Sequence, residues 1–243
     1  MTATIPIQKV RPGARFDLSS PMIDVILCDD HALIRRGIRD TLSDASDIRV
    51  VGEASDYGEL RNLIRTLTTS GMEPLRALAC DVLVLDINLP GRSGLDALHA
   101  LKDEGSPIKV LVVSMYPEDQ YAIRALRAGA YGYVNKGGDP QLLVQAVRTV
   151  AQGRKYITPD IAQMLVESLT APSSDSPHSK LSDRELQTLV MIASGKRLAD
   201  IAEALSLSPK TVSVYRARVL EKLQLANNSE LTVYAIRNGL VGE

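Results

Sequence analysis

The sequence predicts an α/β domain, a five-stranded doubly wound parallel sheet, followed by a small all-α domain. Three observations predict it. From residue 22 to 152, five short apolar runs alternate with five helical patterns, as strands joined by helical crossovers do. Residues 167–180 (ESLTAPSSDSPHSK) then turn rich in Ser and Pro, with few apolar residues, which is linker composition. From Leu181 onward only helical periodicity remains.

The elements follow in order. Strands are expected at 23–28, 48–53, 82–85, 108–113 and 131–134. Helices are expected at 31–43 (with Leu33, Ile34, Ile38 and Leu42 on one face), 57–69, 94–104, 118–129 and 139–152. Asp30 is placed to cap the first helix. The stretch around "TTSGMEPLRALAC" is long for a connection, so a lengthened second helix or an extra loop is expected there. Residues 1–21 hold three prolines and no periodicity, and lack the apolar core and cleavage site of a signal peptide. They read as a disordered leader. The expected organisation is a leader at 1–21, the α/β domain at 22–152, a linker region at 153–179 and the helical domain at 180–243.

Bulk properties narrow the function. A chain of 243 residues can hold two domains, each with its own core. The net charge of -1 gives no global field toward nucleic acid, so any basic patch is local. No apolar run approaches the ~20 residues that span a bilayer, and no membrane association is expected. Cys28 and Cys80 lie beside apolar runs and read as buried thiols of a reducing compartment, hence a cytoplasmic protein. His31, His99 and His178 have no metal-ligand spacing and read as structural or solvated.

Polar residues collect where the strands stop. The first strand runs into Asp29 and Asp30, the third ends on Asp86, the fourth meets Ser114 and the fifth meets Asn135 and Lys136. In an open parallel sheet, ligands bind beyond the carboxyl ends of the strands. Each residue alone has an ordinary explanation as a cap, a turn or a solvated charge. Three acids on one rim, however, repel one another unless a cation sits among them, and oxygen ligands with room for phosphate suit Mg²⁺.

These residues, with the stretch Asp86-Ile87-Asn88-Leu89-Pro90-Gly91, resemble the receiver domain of two-component response regulators over roughly 22–152. The resemblance implies a flavodoxin-like fold. It implies Asp86 as the nucleophile that takes a phosphoryl group, and Mg²⁺ held by Asp29, Asp30, Asp86 and the backbone carbonyl of Asn88. Lys136 and Ser114 would hold phosphoryl oxygens, and Tyr133 would be the switch aromatic, moving when Ser114 finds a new partner. Many receivers follow the lysine with proline; here it is Gly137.

In the helical half, Ser182 and Glu185 form a capping box, and Gly195 closes that first helix. "LADIAEAL" makes a second helix, and Ser208-Pro209 starts a third after a short turn. Helix, turn, helix is a DNA-reading outline. Phased at ~100° per residue, the third helix turns Val212, Val219 and Leu223 to the core. Lys210, Ser213, Val214, Ala217, Arg218 and Glu221 then form the opposite face. Val214 can touch a thymine methyl, Lys210 and Arg218 can reach phosphates or guanine edges, and Thr211, Tyr215, Arg216 and Lys222 flank the face. Charge does not decide the matter, since residues 180–243 hold nine Lys or Arg against seven Asp or Glu.

Motif order over about 178–242 does decide it. LSDRE, Ala193 with Gly195, DIA, the S-x-x-T-V run and EKLQL resemble the LuxR-type helix-turn-helix output domain (NarL/FixJ-like). That family often has Glu at the position of Asp200 and His at that of Tyr215. The resemblance implies double-stranded DNA as partner, a sensor histidine kinase as phosphodonor, and homodimers on activation, paired through a last helix opening at Asn228-Ser229. Two other readings are a regulator controlled by protein contacts with a silent receiver, and an aspartyl-phosphate phosphohydrolase. The phosphohydrolase would want an acid two residues after the nucleophile, where Asn88 stands.

Overall fold

The computed structural model describes residues 22–69, 80–116, 118–170 and 176–241. Five parallel strands, β1 (Ile23–Cys28), β2 (Ile48–Ala54), β3 (Val82–Asp86), β4 (Lys109–Ser114) and β5 (Gly132–Asn135), lie in the order β2-β1-β3-β4-β5. They alternate with helices α1 (Ala32–Ser43), α2 (Tyr57–Thr69), α3 (Gly94–Asp103), α4 (Glu118–Ala128) and α5 (Pro140–Ala151). The expected sheet and all ten elements are present, with ends shifted by a residue at most.

The strands are near-continuous apolar runs because both faces of the sheet are covered. Successive side chains of a strand point to opposite faces. Val25, Leu27, Val82, Val84, Leu111 and Val113 therefore pack under α1 and α5, with Leu42, Leu143, Val144, Val147 and Val150. Ile26, Cys28, Leu83, Leu85, Val110 and Val112 face the other side, with Leu60, Leu95, Leu98, Leu101, Tyr121 and Ala125.

Both thiols are buried here. Burial, aided by the neighbouring acids, pushes Cys28 far up, and Cys80 is pushed up to about 12. Neither forms thiolate near neutrality, and thiolate is the reactive form. Both are expected to resist iodoacetamide in the native protein and to react fully in denaturant, as mass spectrometry will read.

Two expectations need correction. Asp30 does not cap α1: the N-cap is His31, which makes no side-chain cap bond, and its N–H donates instead to Asp29 Oδ1 at 2.8 Å. The region 153–179 holds a regular helix, α6 (Pro159–Thr170), packed against α4 with Ile161 buried, and then a 3-10 turn at Pro177–Lys180. Only residues 167–170 of this helix fall in the Ser/Pro-rich stretch. The leader 1–21 and residues 70–79 of the long connection lie outside the described residues.

The helical domain consists of α7 (Asp183–Ala193), α8 (Leu198–Ala204), α9 (Pro209–Leu223) and α10 (Asn228–Arg237). The capping box at Ser182 and Glu185 is formed, and Ser208 caps α9 by accepting from the Thr211 N–H at 3.1 Å. The cap of α10 is Asn227, one residue before the expected pair. Every residue of α7 from Arg184 to Ile192 is buried. The helix packs on α9 and α10 on one side and meets the loop after β3 on the other.

Candidate acidic site and nucleic-acid interface

Strand order decides which acids meet. β1 and β3 are neighbours although a whole βα unit separates them in sequence. The sheet's order reverses at that point, where doubly wound folds bind ligands. Asp29, directly after β1, and Asp86, the last residue of β3, are each 2 % exposed. Lys136 reaches back from the end of β5, with Nζ 2.6 Å from Asp29 Oδ2 and 2.7 Å from Asp86 Oδ2. Its N–H donates to the Ser114 carbonyl at 2.8 Å, which ties the β5 loop to β4. No cis peptide shapes that loop. The Asn135 side chain does, accepting from the Gly137 N–H at 2.7 Å.

Ligand atoms of Asp29, Asp30, His31 and Asp86 all lie within 4.8 Å of one another. His31 Nδ1 stands 2.6 Å from Asp30 Oδ1, so this histidine joins the site rather than being merely solvated. Asp86 Oδ1 is buried with no hydrogen-bond partner among the described residues. Asp29 Oδ2 stands against the Lys136 ammonium and Asp30 Oδ1 against the His31 ring nitrogen, but neither at hydrogen-bonding angles. Under-satisfied buried carboxylate oxygens facing one point suit a hard, oxygen-loving cation.

Burial raises Asp86 from 3.8 to about 6; Lys136 pulls it down, and Asp29 pushes it up again. A carboxyl raised on folding weakens the fold once it ionises. In chelator, Asp86→Asn is therefore expected to raise stability above pH 6, by up to ~3 kcal/mol for two pKa units. The gain fades as pH falls from about 6 toward 3.8, where the wild-type group is neutral in both states. Urea unfolding across that range tests it; a pH-independent difference would count against it.

Ser114 is fully buried, with Oγ accepting from the Tyr116 N–H at 3.1 Å. Tyr133 is also fully buried, and its hydroxyl donates to the Tyr116 carbonyl at 2.7 Å. The ring is thus already turned inward beside Ser114's loop. Tyr116 went unnoticed in the sequence. Its backbone collects the bonds of Ser114, Tyr133 and Asn135, and its hydroxyl contacts the Asn88 side chain.

Gly94 was also missed. It opens α3 with its N–H on the Ile87 carbonyl at 2.8 Å, and an added Cβ would stand 1.9 Å from the Asp86 carbonyl oxygen. The signal available was a glycine eight residues past the strand-end acid; the close approach depends on tertiary structure.

On α9 the phasing holds. Val212, Val219 and Leu223 are buried, and Lys210, Ser213, Val214, Ala217, Arg218 and Glu221 are exposed. Thr211, Tyr215 and Arg216 are half-buried. Two flanking cations are already engaged: Arg216 Nε donates to Asn228 Oδ1 at 2.6 Å, and Lys222 Nζ pairs with Glu185 Oε2 at 2.6 Å. Lys222 thereby braces α9 against α7 rather than standing free for a phosphate. Among the described residues no helix is long and apolar enough to cross a membrane.

Comparison with known proteins agrees with this geometry. Residues 25–148 match the response regulator receiver domain, and residues 179–235 match the bacterial regulatory proteins of the luxR family. The chain is 41% identical over 220 residues to the response regulator UvrY of Escherichia coli K12, covering 90% of this chain and 96% of that one. It is 41% identical over 221 residues to the response regulator GacA of Pseudomonas aeruginosa, covering 90% and 98%. Among solved structures, RcsB of Salmonella enterica serovar Typhimurium bound to promoter rprA with phosphomimetic BeF3- aligns at TM-score 0.56 and 26% identity, over 88% of this chain and 98% of that one.

Proposed function

This chain belongs to the two-component response regulators that join a receiver to a LuxR-family DNA-binding domain, and from that premise we propose that Asp86 is its phosphoacceptor. The observation that carries the reading is a buried carboxylate at the end of a rigid strand, with Oδ2 held by Lys136 and Oδ1 unpartnered among the described residues. A sensor histidine kinase supplies the phosphoryl group. Asp86 Oδ1 attacks phosphorus, the P–N bond of the phosphohistidine breaks, and its electron pair leaves with the imidazole.

Phosphoryl transfer needs alignment and charge neutralisation more than covalent help. Lys136, fixed 2.7 Å from Asp86, neutralises one incoming oxygen. Asp29, Asp30, Asp86 and the Asn88 carbonyl would hold Mg²⁺, which supplies further neutralisation of the phosphoryl oxygens. Ser114 Oγ gives up the Tyr116 N–H for a phosphoryl oxygen, and the Tyr133 contact to the Tyr116 carbonyl carries the change outward. The receiver spans 22–152 and the output domain 180–243, in a cytoplasmic protein. α9 enters the major groove of double-stranded DNA with Lys210, Ser213, Val214, Ala217 and Arg218, flanked by Thr211, Tyr215 and Arg216. Activation pairs two chains, which suits repeated half-sites.

The relatives are response regulators, and Asn88, standing where a hydrolase would want a general acid, supports a regulatory rather than a hydrolytic role. Intact mass after incubation with Mg²⁺ and a small acyl phosphate tests the reading, with DNA binding followed in parallel. One phosphoryl group on wild type and none on Asp86→Asn is expected, with tighter DNA binding by the charged form. No adduct under any donor, with DNA bound equally by both proteins, would sink it in favour of a silent receiver.

A further inference from the structure

His31 stands at the acidic site with no capping task for its ring. It is the N-cap of α1 but makes no side-chain cap bond. Its backbone N–H donates to Asp29 Oδ1 at 2.8 Å, which fixes where the ring begins. Nδ1 then lies 2.6 Å from Asp30 Oδ1 and 3.8 Å from Asp29 Oδ1, on a side chain that is 56 % exposed.

The 2.6 Å contact carries information. At that distance a ring nitrogen and a carboxylate oxygen press lone pairs together unless a positive charge lies between them. A proton on Nδ1 serves only if it points at the oxygen, and Asp30 Oδ1 has no hydrogen-bond partner among the described residues. A cation bound by both atoms needs no such alignment. The other donors agree. Asp86 is 2 % exposed and keeps Oδ1 buried and unpartnered among the described residues. Ligand atoms of Asp29, Asp30, His31 and Asp86 all lie within 4.8 Å of one another, the one such group of His, Cys, Asp and Glu among the described residues.

We infer that His31 is itself a ligand of the ion at the acidic site, so that one nitrogen joins the oxygens and the site favours a first-row transition ion over Mg²⁺. The inference rests on the acidic site holding a divalent cation. Mg²⁺ takes oxygen ligands and keeps several of its waters, so the carboxylates serve it without the ring. Imidazole suits the later divalent ions, whose affinity for a given nitrogen and oxygen site rises from Mn²⁺ through Co²⁺ to Ni²⁺. The exposed edge of the ring leaves Nδ1 within reach of an ion arriving from solvent.

Calorimetric titration of the full chain with MgCl₂ and with CoCl₂, without a phosphodonor, supplies the test. His31→Ala removes the ring. His31→Gln keeps an amide that can hydrogen-bond Asp30 but removes the imidazole nitrogen. Even an outer partner of a metal ligand is worth about 10–100-fold in affinity, so both variants are expected to weaken Co²⁺ binding at least about tenfold. Mg²⁺ binding should stay within about twofold of wild type, since that ion makes no use of the ring. The visible bands of bound Co²⁺ should also differ between wild type and both variants, as a nitrogen gives way to oxygen. Circular dichroism checks that the variants are folded. Equal weakening of the two ions, or unchanged Co²⁺ binding, would overturn the inference and leave His31 as a neighbour of Asp30 alone. Asp86→Asn separates that failure from a failure of the premise: it should weaken both ions, and wild-type affinity for both would mean that the acidic site is not where the cation binds.

Discussion

Gly94→Ala is expected to leave almost no folded receiver. The added Cβ would lie 1.9 Å from the Asp86 carbonyl oxygen, 2.8 Å from its carbon and 2.9 Å from Ile87 Cα. All three are backbone atoms, so no rotamer change relieves the clash. Either α3 withdraws, breaking the Gly94–Ile87 bond and the Ser93 cap that accepts from the Asp96 N–H at 3.1 Å. Or the end of β3 shifts and Asp86 leaves its pocket. The cost is expected to exceed ~4 kcal/mol, the range reserved for overpacked or strained positions. Denaturant unfolding will read it, and whatever folds should no longer take a phosphoryl group. A midpoint close to wild type would show that the loop yields more easily than its contacts imply.

Lys136→Met comes next in size. The substitution keeps most of the aliphatic stem and removes the ammonium that Asp29 and Asp86 share at 2.6 and 2.7 Å. Two carboxylates, 3 % and 2 % exposed by side chain, are left facing each other. Stripping one partner from a buried ionic cluster costs ~3–5 kcal/mol. Asp86 then rises above its present value of about 6, because its main lowering influence is gone. The loss in chelator should therefore be full above the variant's raised value and shrink as pH falls from there to about 6, below which Asp86 is neutral in both proteins. A loss independent of pH would mean that packing, not charge, is what Lys136 supplies. Phosphorylation should be abolished at every pH.

The sheet, its helices and the acidic site were legible because each element carries its own local signal. Apolar runs of strand length end in Asp29, Asp86, Ser114 and Lys136, and short connections leave little freedom over where those ends lie. The face of α9 was legible for the same reason, since periodicity alone phases Val212, Val219 and Leu223 inward. What escaped depends on partners distant in sequence. Lys222 looked like a free flanking cation until Glu185 of α7 took it up. Gln187 and Arg184 carry no signal of their own in the sequence, and their partners Asn88 and Leu89 lie almost a hundred residues away, in the receiver. His31 lacked metal-ligand spacing to the other histidines, yet its neighbours in space are carboxylates. α6 hid behind a Ser/Pro-rich stretch that begins only near its end.

The strand order has one more consequence. Asp86 closes the central strand, Asp29 follows its neighbour, and Lys136 stands past the far edge of the sheet, so the three come together only when β1, β3, β4 and β5 are all in register. None of these pairings is local in sequence, and such contacts form late and slowly. A chain still emerging from the ribosome has Asp86 long before it has Lys136. If Asp86 is the acceptor proposed above, the ability to be charged is withheld until the last strand is in place, and a chain truncated before β5 is expected to take no phosphoryl group.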